Sequence, residues 1–562
     1  MEKLKKRKIE VFVILLIICA LLIPQFIFAG GENEAPTTVE ITGDDVGPTN
    51  SNQLSDLRVR QAIAYAIDMD TVAEILFEGM VVVADARIPN GPWKAPGLEK
   101  FSYDPDKARA LLKAANWDES RVLDVVYYYA DQQTVDLMTA VQAYLADVGI
   151  KMTFRKLEGD VSAQYLTAPA DPVNGPSAIN YDLAYGAIAA LALQDYYNDH
   201  AAGYTAWTPA NPELTALING VNGTADVAQL KKAFNKIQKY ENDNVLSIPL
   251  YYQQMYTFES QRLNRNGGQY GNPQYNYDWD ILNWTVSPNK EGVRELITNS
   301  GPIEYIYTPW KVPGLHMSSR VLFDHLISCD GALTPTGGKM AKDYKLSSDG
   351  MTLTVTLKDG LTWHDGSPVT ADDIKFSVEL AYRVPGTNAV IYNSFNSLKG
   401  AKTFKKGNVD HIEGLSVNGN TITFSFESLD PNILLTLSQF AILPEKYLGD
   451  IDPMKITQSP FWQNPIGSGP FKVKEIKMNN YLVMVPFENY HGGVAKIDQI
   501  LCYPSDENDA NIIKNAAAGR LDYAFSKNTA EVKAVMEMSN MVVTPIDIPY
   551  TRMIKINQFP KP

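Results

Sequence analysis

Cysteine and histidine are scarce in this chain, with three and six copies in 562 residues. Cys19, Cys329 and Cys502 stand far apart and the histidines are scattered singly, so no spacing that builds a structural zinc site occurs. Cys19 lies in an apolar N-terminal run. That leaves Cys329 and Cys502, for which two buried thiols are a simpler expectation than a disulfide. Catalytic signatures are missing too. There is no G-x-S-x-G elbow, no H-E-x-x-H helix and no glycine-rich phosphate loop, and no motif calls for a cofactor or a metal. Excess positive charge is also lacking: 50 Lys and Arg face 64 Asp and Glu, a formal net charge of −14. The first 29 residues carry +3, which leaves −17 on the rest. An acidic surface of that size argues against nucleic acid or anionic lipid as partners.

What is present begins with an export signal. Lys3, Lys5, Lys6, Arg7 and Lys8 precede an uninterrupted apolar run over 11–23, then Pro24 and the small residue Ala29. Cleavage after residue 29 and retention as an anchor both fit this pattern. Cys19 follows two isoleucines rather than the small residue that lipidation needs. Residues 30–53, rich in Gly, Pro, Thr, Asn and acid, read as a flexible tether. The chain is too long for one core. Its thirty tyrosines suit recognition of polar ligands, although packing between core and solvent accounts for most of them.

Helices are expected over 57–67 and 71–77, and another opens at Asp104-Pro105, with an N-cap Asp and Pro at N1. A βαβ unit follows: a strand over 122–129, a helix whose apolar stripe is Val135, Met138, Val141, Leu145 and Val148, and a strand over 150–157. A buried strand at 181–186 and an amphipathic helix at 230–240 come next. The strand at 247–252 contains Pro249, so it must be an edge or a crossing strand. After a loop-rich stretch from 264 to 290, Met351, Leu353, Val355 and Leu357 alternate with threonines in a half-buried strand. Thr370 to Asp373 forms a capping box with Asp in place of Glu, and Asn418-Gly419 turns a hairpin. A helix over 510–518 and a strand over 521–525 follow. His364, in Trp363-His364-Asp365-Gly366, looks tempting as a base, but turn chemistry explains it better.

Those last residues carry a resemblance. Asp349 to Val355 with Trp363 to Asp373 closely resembles a hallmark of family 5 extracellular solute-binding proteins. So do Ser319-Arg320-Val321-Leu322-Phe323-Asp324, Pro465 to Phe471, Asn489-Tyr490-His491-Gly492-Gly493 and Ala518 to Asp522. Val59 to Asp68, Tyr103 to Ala108 and Ile248 to Tyr252 match the family as well, yet in it they belong after those motifs. Joining the end of the chain, at Ile556-Asn557-Gln558-Phe559-Pro560, to Leu54 restores the usual order, as a circular permutation or a fusion of half-genes would explain.

The resemblance implies an α/β fold of two lobes, like the type II periplasmic binding proteins of the large peptide-binding class, with a small extra subdomain. Lobe boundaries are expected at 54–256 and 257–562. One connection between lobes, near 252–258, should stay covalent and the other be cut; two continuous connecting strands would overturn that reading. The implied role is ligand capture for the transmembrane permease of an ABC importer, by a monomer that needs no catalysis. An oligopeptide is the first ligand expected and a neutral oligosaccharide the second, with a secreted hydrolase or a surface scaffold behind them. The family's ammonium-holding Asp corresponds to Asp195. At the family's carboxylate-holding Arg, just past Tyr129, this chain has Asp131-Gln132-Gln133. Tyr128, Asp195, Tyr196, Tyr307, Trp310 and Tyr550 are the ligand-contact candidates.

Overall fold

Short-range capping chemistry sets many of the element ends in the computed structural model. It describes residues 47–561 apart from 190–192, 269–279, 300–305, 307–308, 312–316, 479 and 505–510. Asp104 accepts from the Lys107 backbone N–H (2.9 Å) and Pro105 occupies the first turn, which starts helix Pro105–Ala114. Asp131 accepts from Thr134 N–H (2.8 Å) and opens helix Gln132–Asp147. That helix buries Leu137, Met138, Val141 and Leu145 and links the parallel strands Val122–Tyr127 and Lys151–Lys156. Thr370 and Asp373 cap each other across the start of helix Ala371–Arg383. Gly419, at φ +57°, turns the hairpin between Leu415–Asn418 and Thr421–Ser425. Those strands, with Thr352–Leu357 and Ala341–Leu346, make a separate four-stranded sheet. The segment at 510–518 is helical as Asn511–Ala517.

The main sheet has eleven strands and runs from Phe471–Lys477 at one edge to Lys151–Lys156 at the other. At its centre lie two long antiparallel strands, Ser247–Ser260 and Met541–Ile556, paired from Ser260↔Met541 to Ser247↔Lys555. One end of the pair is flanked by Tyr523–Ser526. The other end is flanked by Val81–Val83 and Leu183–Ala189. The two long strands therefore run from one lobe into the other, and Pro249 sits in a crossing strand.

Each lobe has its own apolar core. One gathers residues between Leu263 and Tyr523, and a second gathers Leu54 to Tyr251 with Ile554 and Ile556. A third cluster mixes the two, with Tyr196, Ile218 and Phe234 against Cys329, Leu333, Leu435 and Ile548. Cys329 and Cys502 are both buried and are not joined in a disulfide. A buried ion network ties the second crossing strand, through Lys555, to Asp199 and Arg87. The Asp199 carboxylate accepts from Arg87 Nη1 (2.7 Å) and Lys555 Nζ (2.8 Å). Burial raises the pKa of such a group, but the two cations outweigh it and hold Asp199 well below the usual carboxylate range.

Two expectations need correction. No connection between the lobes is cut, because both crossings are continuous strands. The described ends meet beyond the second crossing instead: Asn52 Nδ2 donates to the carbonyls of Asn557 and Phe559 (2.8 Å each) and Asn50 Nδ2 to that of Gln558 (2.9 Å). Ordered structure also starts before Leu54, since Thr49 N–H donates to Ser55 Oγ (3.0 Å) and Asn52 is buried. The export signal and residues 30–46 of the tether lie outside the described residues.

Candidate ligand site

Three strands bring a group of tyrosines around one arginine. Tyr128 and Tyr129 leave the carboxyl end of Val122–Tyr127, and Tyr185 lies within Leu183–Ala189. On the second crossing strand, Arg552 stands opposite Ala187 on one side and Tyr251 on the other. The pairing register of that strand shifts between Asp547 and Thr551 and again at Arg552/Met553, and bulges of this kind re-aim side chains. The Arg552 guanidinium carbon lies 4.0 Å from the Tyr129 ring centroid, 5.1 Å from that of Tyr550 and 6.0 Å from that of Tyr185. Cation–π attraction holds the cation there.

The phenols are themselves paired. Tyr128 and Tyr129 share a hydroxyl–hydroxyl bond of 2.9 Å, and Tyr185 and Tyr251 one of 2.8 Å. Burial pushes the Tyr128 and Tyr129 hydroxyls above their ordinary pKa, so both stay neutral and keep their protons. Tyr165 closes the floor. Its ring meets Tyr128 edge-on at 5.3 Å, and its hydroxyl fills the space that a Cβ on Gly186 would take. Among the described residues Arg552 has no ion pair, and its buried Nε and Nη1 have no hydrogen-bond partner.

The cage sits where the lobes meet. Lys527, just past strand Tyr523–Ser526, places its Nζ 5.3 Å from the Tyr550 ring centroid. Gln133, in the first turn of helix Gln132–Asp147, donates to Thr529 Oγ1 at the start of helix Thr529–Met536 (3.1 Å). Glu78 and Lys533 form an ion pair across the same seam.

Of the residues singled out from sequence, Tyr128 and Tyr550 line this cage. Tyr196 is buried in the mixed apolar cluster, away from any open face. Trp310 is a core residue of the other lobe: it stacks on Phe440 (5.5 Å, 19°) and its indole N–H donates to the Ala441 carbonyl (2.7 Å). That leaves it no face for a ligand. The backbone of Asp195 opens the short helix Asp195–Asn198, but its side chain and all of Tyr307 lie outside the described residues. His364 is a staple. Its Nδ1 accepts from Gly467 N–H and its Nε2 donates to the Gly469 carbonyl, both at 3.0 Å.

Sequence reasoning missed Arg552. The one local signal was a cation set between Thr551 and Met553, both buried. Among the described residues no group of three or more His, Cys, Asp or Glu is placed to hold a metal, and no helix is long and apolar enough to cross a membrane.

A family model for bacterial extracellular solute-binding proteins, family 5 Middle, matches residues 44–217 and 336–562. The oligopeptide-binding protein OppA of Lactococcus lactis is 26% identical over 209 residues, 36% of this chain and 34% of its own. The oligopeptide-binding protein AppA of Bacillus subtilis is 27% identical over 251 residues, 41% of this chain and 43% of its own. The chain thus spans less than half the length of these curated relatives. Among solved structures, NikZ of Campylobacter jejuni in complex with Ni(L-His) has 23% identity and a TM-score of 0.33, covering 40% of this chain and 42% of that one. The B. subtilis AppA structure with a nonapeptide has 21% identity and a TM-score of 0.34, covering 40% and 43%. With its two matched stretches spanning most of its length, this chain belongs to the family 5 bacterial extracellular solute-binding proteins.

Proposed function

We propose that this protein captures an oligopeptide outside the cytoplasm, between its two lobes, and delivers it to the permease of an ABC importer. The single observation that carries this reading is the seam around Tyr550. The Arg552 guanidinium, which also lies over the Tyr129 ring, is 5.1 Å from the Tyr550 ring centroid, and Lys527 Nζ of the other lobe is 5.3 Å from it. Cations and neutral phenols contributed from both sides of a seam suit a polar ligand whose binding draws the lobes together. The named relatives, which are oligopeptide-binding proteins, support peptide as the ligand. A neutral oligosaccharide could stack on the tyrosines but would leave the Arg552 charge unanswered.

The proposed lobes follow the boundaries 54–256 and 257–562, with the end of the second crossing strand built into the first lobe. A swapped order of the family's segments keeps its place in this reading only with the break moved past that crossing, to the point where Asn50 and Asn52 hold Asn557 to Phe559. A thermal-shift screen of peptide and oligosaccharide libraries tests the assignment. A ligand that binds only the folded protein at a hundred times its Kd stabilises it by about 2.7 kcal/mol. Stabilisation by peptides is expected; stabilisation by sugars and by no peptide would overturn the proposal.

A further inference from the structure

We infer that Arg552 is the ligand's carboxylate receptor, and that it does this from the crossing strand rather than from the segment after Tyr129. This rests on the peptide reading above and goes beyond it by naming the group recognised. Arg552 holds donors without acceptors. Nε and Nη1 of Arg552 are buried and, among the described residues, lack hydrogen-bond partners and belong to a side chain with no ion pair. A buried donor left unmade is expensive, and a guanidinium cannot discharge by losing its proton, so the position is stable only while something else holds the cation.

Three aromatic rings hold it, at 4.0 to 6.0 Å, by their faces. Rings steady the charge but accept no N–H in the guanidinium plane, so the fork stays open to a planar acceptor. The surrounding hydroxyls add to the surplus. Each of the pairs Tyr128/Tyr129 and Tyr185/Tyr251 has two hydroxyl protons, and its single bond uses one. Lys527 brings further positive charge to the rim.

The acidic residue in the segment after Tyr129 does not answer this surplus. The Asp131 carboxylate is occupied in capping its helix, accepting from the Thr134 backbone and hydroxyl (2.8 and 3.0 Å). A site that offers planar guanidinium N–H donors and spare phenol protons, with no acceptor for them among the described residues, takes a carboxylate. On a peptide that carboxylate is either the C-terminus or an Asp or Glu side chain.

Isothermal titration separates these sources and the two levels of the argument. A neutral peptide that binds the wild-type protein is compared with its C-terminal amide, and with an amide carrying one internal Glu. Each is also titrated into Arg552→Gln and Arg552→Lys. The free acid is expected to bind the wild type about 10- to 100-fold more tightly than the amide, since charge-assisted pairs of this kind have that strength. Arg552→Gln should bind acid and amide alike, and Arg552→Lys should recover only part of the preference because an ammonium lacks the fork. Equal binding of acid and amide by the wild type, with the Glu-containing amide no tighter, overturns the inference even if a variant misfolds. So does a preference that Arg552→Gln retains. If the Glu-containing amide recovers the lost affinity, the carboxylate source is a side chain. If the wild type binds no peptide, the peptide reading itself falls and takes this inference with it.

Discussion

Acidification from pH 7 to pH 5 should weaken the protein through His364, by an amount that follows from its geometry. Its Nδ1 accepts the Gly467 N–H and its Nε2–H is donated to the Gly469 carbonyl, so the folded state requires the neutral ring. Protonating Nδ1 would set two donors against each other. Burial pushes the imidazole down from 6.5 to about 4, against a smaller opposing effect from the Gly469 hydrogen bond. The folded pKa is depressed, so between about pH 6.5 and pH 4 the unfolded chain binds a proton that the folded one refuses. Stability is full above that window and is lost as the pH falls through it. A shift of that size is worth about 3 kcal/mol once complete, and about 2 kcal/mol of it is gone by pH 5. The carboxylates held low, Asp324 and Asp365 among them, keep their charge through this range and give way only at lower pH. The assay is urea unfolding followed by tryptophan fluorescence from pH 7.5 to pH 5, on the wild type and on His364→Gln. The variant loses the staple and is less stable throughout, so the slopes are compared, not the midpoints. A wild-type slope that His364→Gln reproduces would refute the reasoning.

Three further outcomes are expected. Asp199→Asn leaves Arg87 and Lys555 buried without a counter-charge and should cost about 3–5 kcal/mol in thermal unfolding; a loss below about 1 kcal/mol would mean that water reaches the network. Gly186→Ala puts a methyl where the Tyr165 hydroxyl sits. That ring is wedged against Tyr128, Tyr181 and Trp207, so a melt should show a loss of about 1–3 kcal/mol, and an unchanged melting temperature would show that the floor yields freely. Joining Pro560 to Asn50 through a short Gly-Ser linker and opening the chain at the exposed turn near Asn289–Gly292 should preserve the near-UV circular dichroism spectrum, since Asn50 already bonds to Gln558; a chain that does not fold would rule out that corner as a movable break.

Local chemistry was the legible part of the fold. Asp104-Pro105, Thr370 with Asp373, and Asn418-Gly419 act over a few residues, and each does in the structure what its side chains dictate. The second crossing strand was not legible, because residues 541–556 interrupt their apolar run with Pro545, Asp547 and Pro549 and only their pairing with Ser247–Ser260 makes them a strand. The candidate ligand site was half legible for a related reason. Tyr128 and Tyr550 stand out as aromatics, but a tyrosine looks the same in sequence whether it lines a cage or, like Tyr196, fills a core. Arg552 becomes a candidate only when residues more than four hundred positions away close around it. Asp131-Gln132-Gln133 seemed to mark a missing charge; it marks a helix start, and the charge arrives on another strand.

The knot of hydrogen bonds at Asn50 and Asn52 has a mechanical consequence. Both described ends of the chain leave the protein from one corner of one lobe, so a protein held by either end is held by that lobe alone. On the proposed reading, the opposite lobe, attached through the two crossing strands, would move against the fixed one without working against the attachment. Immobilised by one end, with a dye pair flanking the seam at Gln133 and Thr529, the molecule becomes a single-sided gauge in which any signal reports the free lobe's movement and none reports the anchor's.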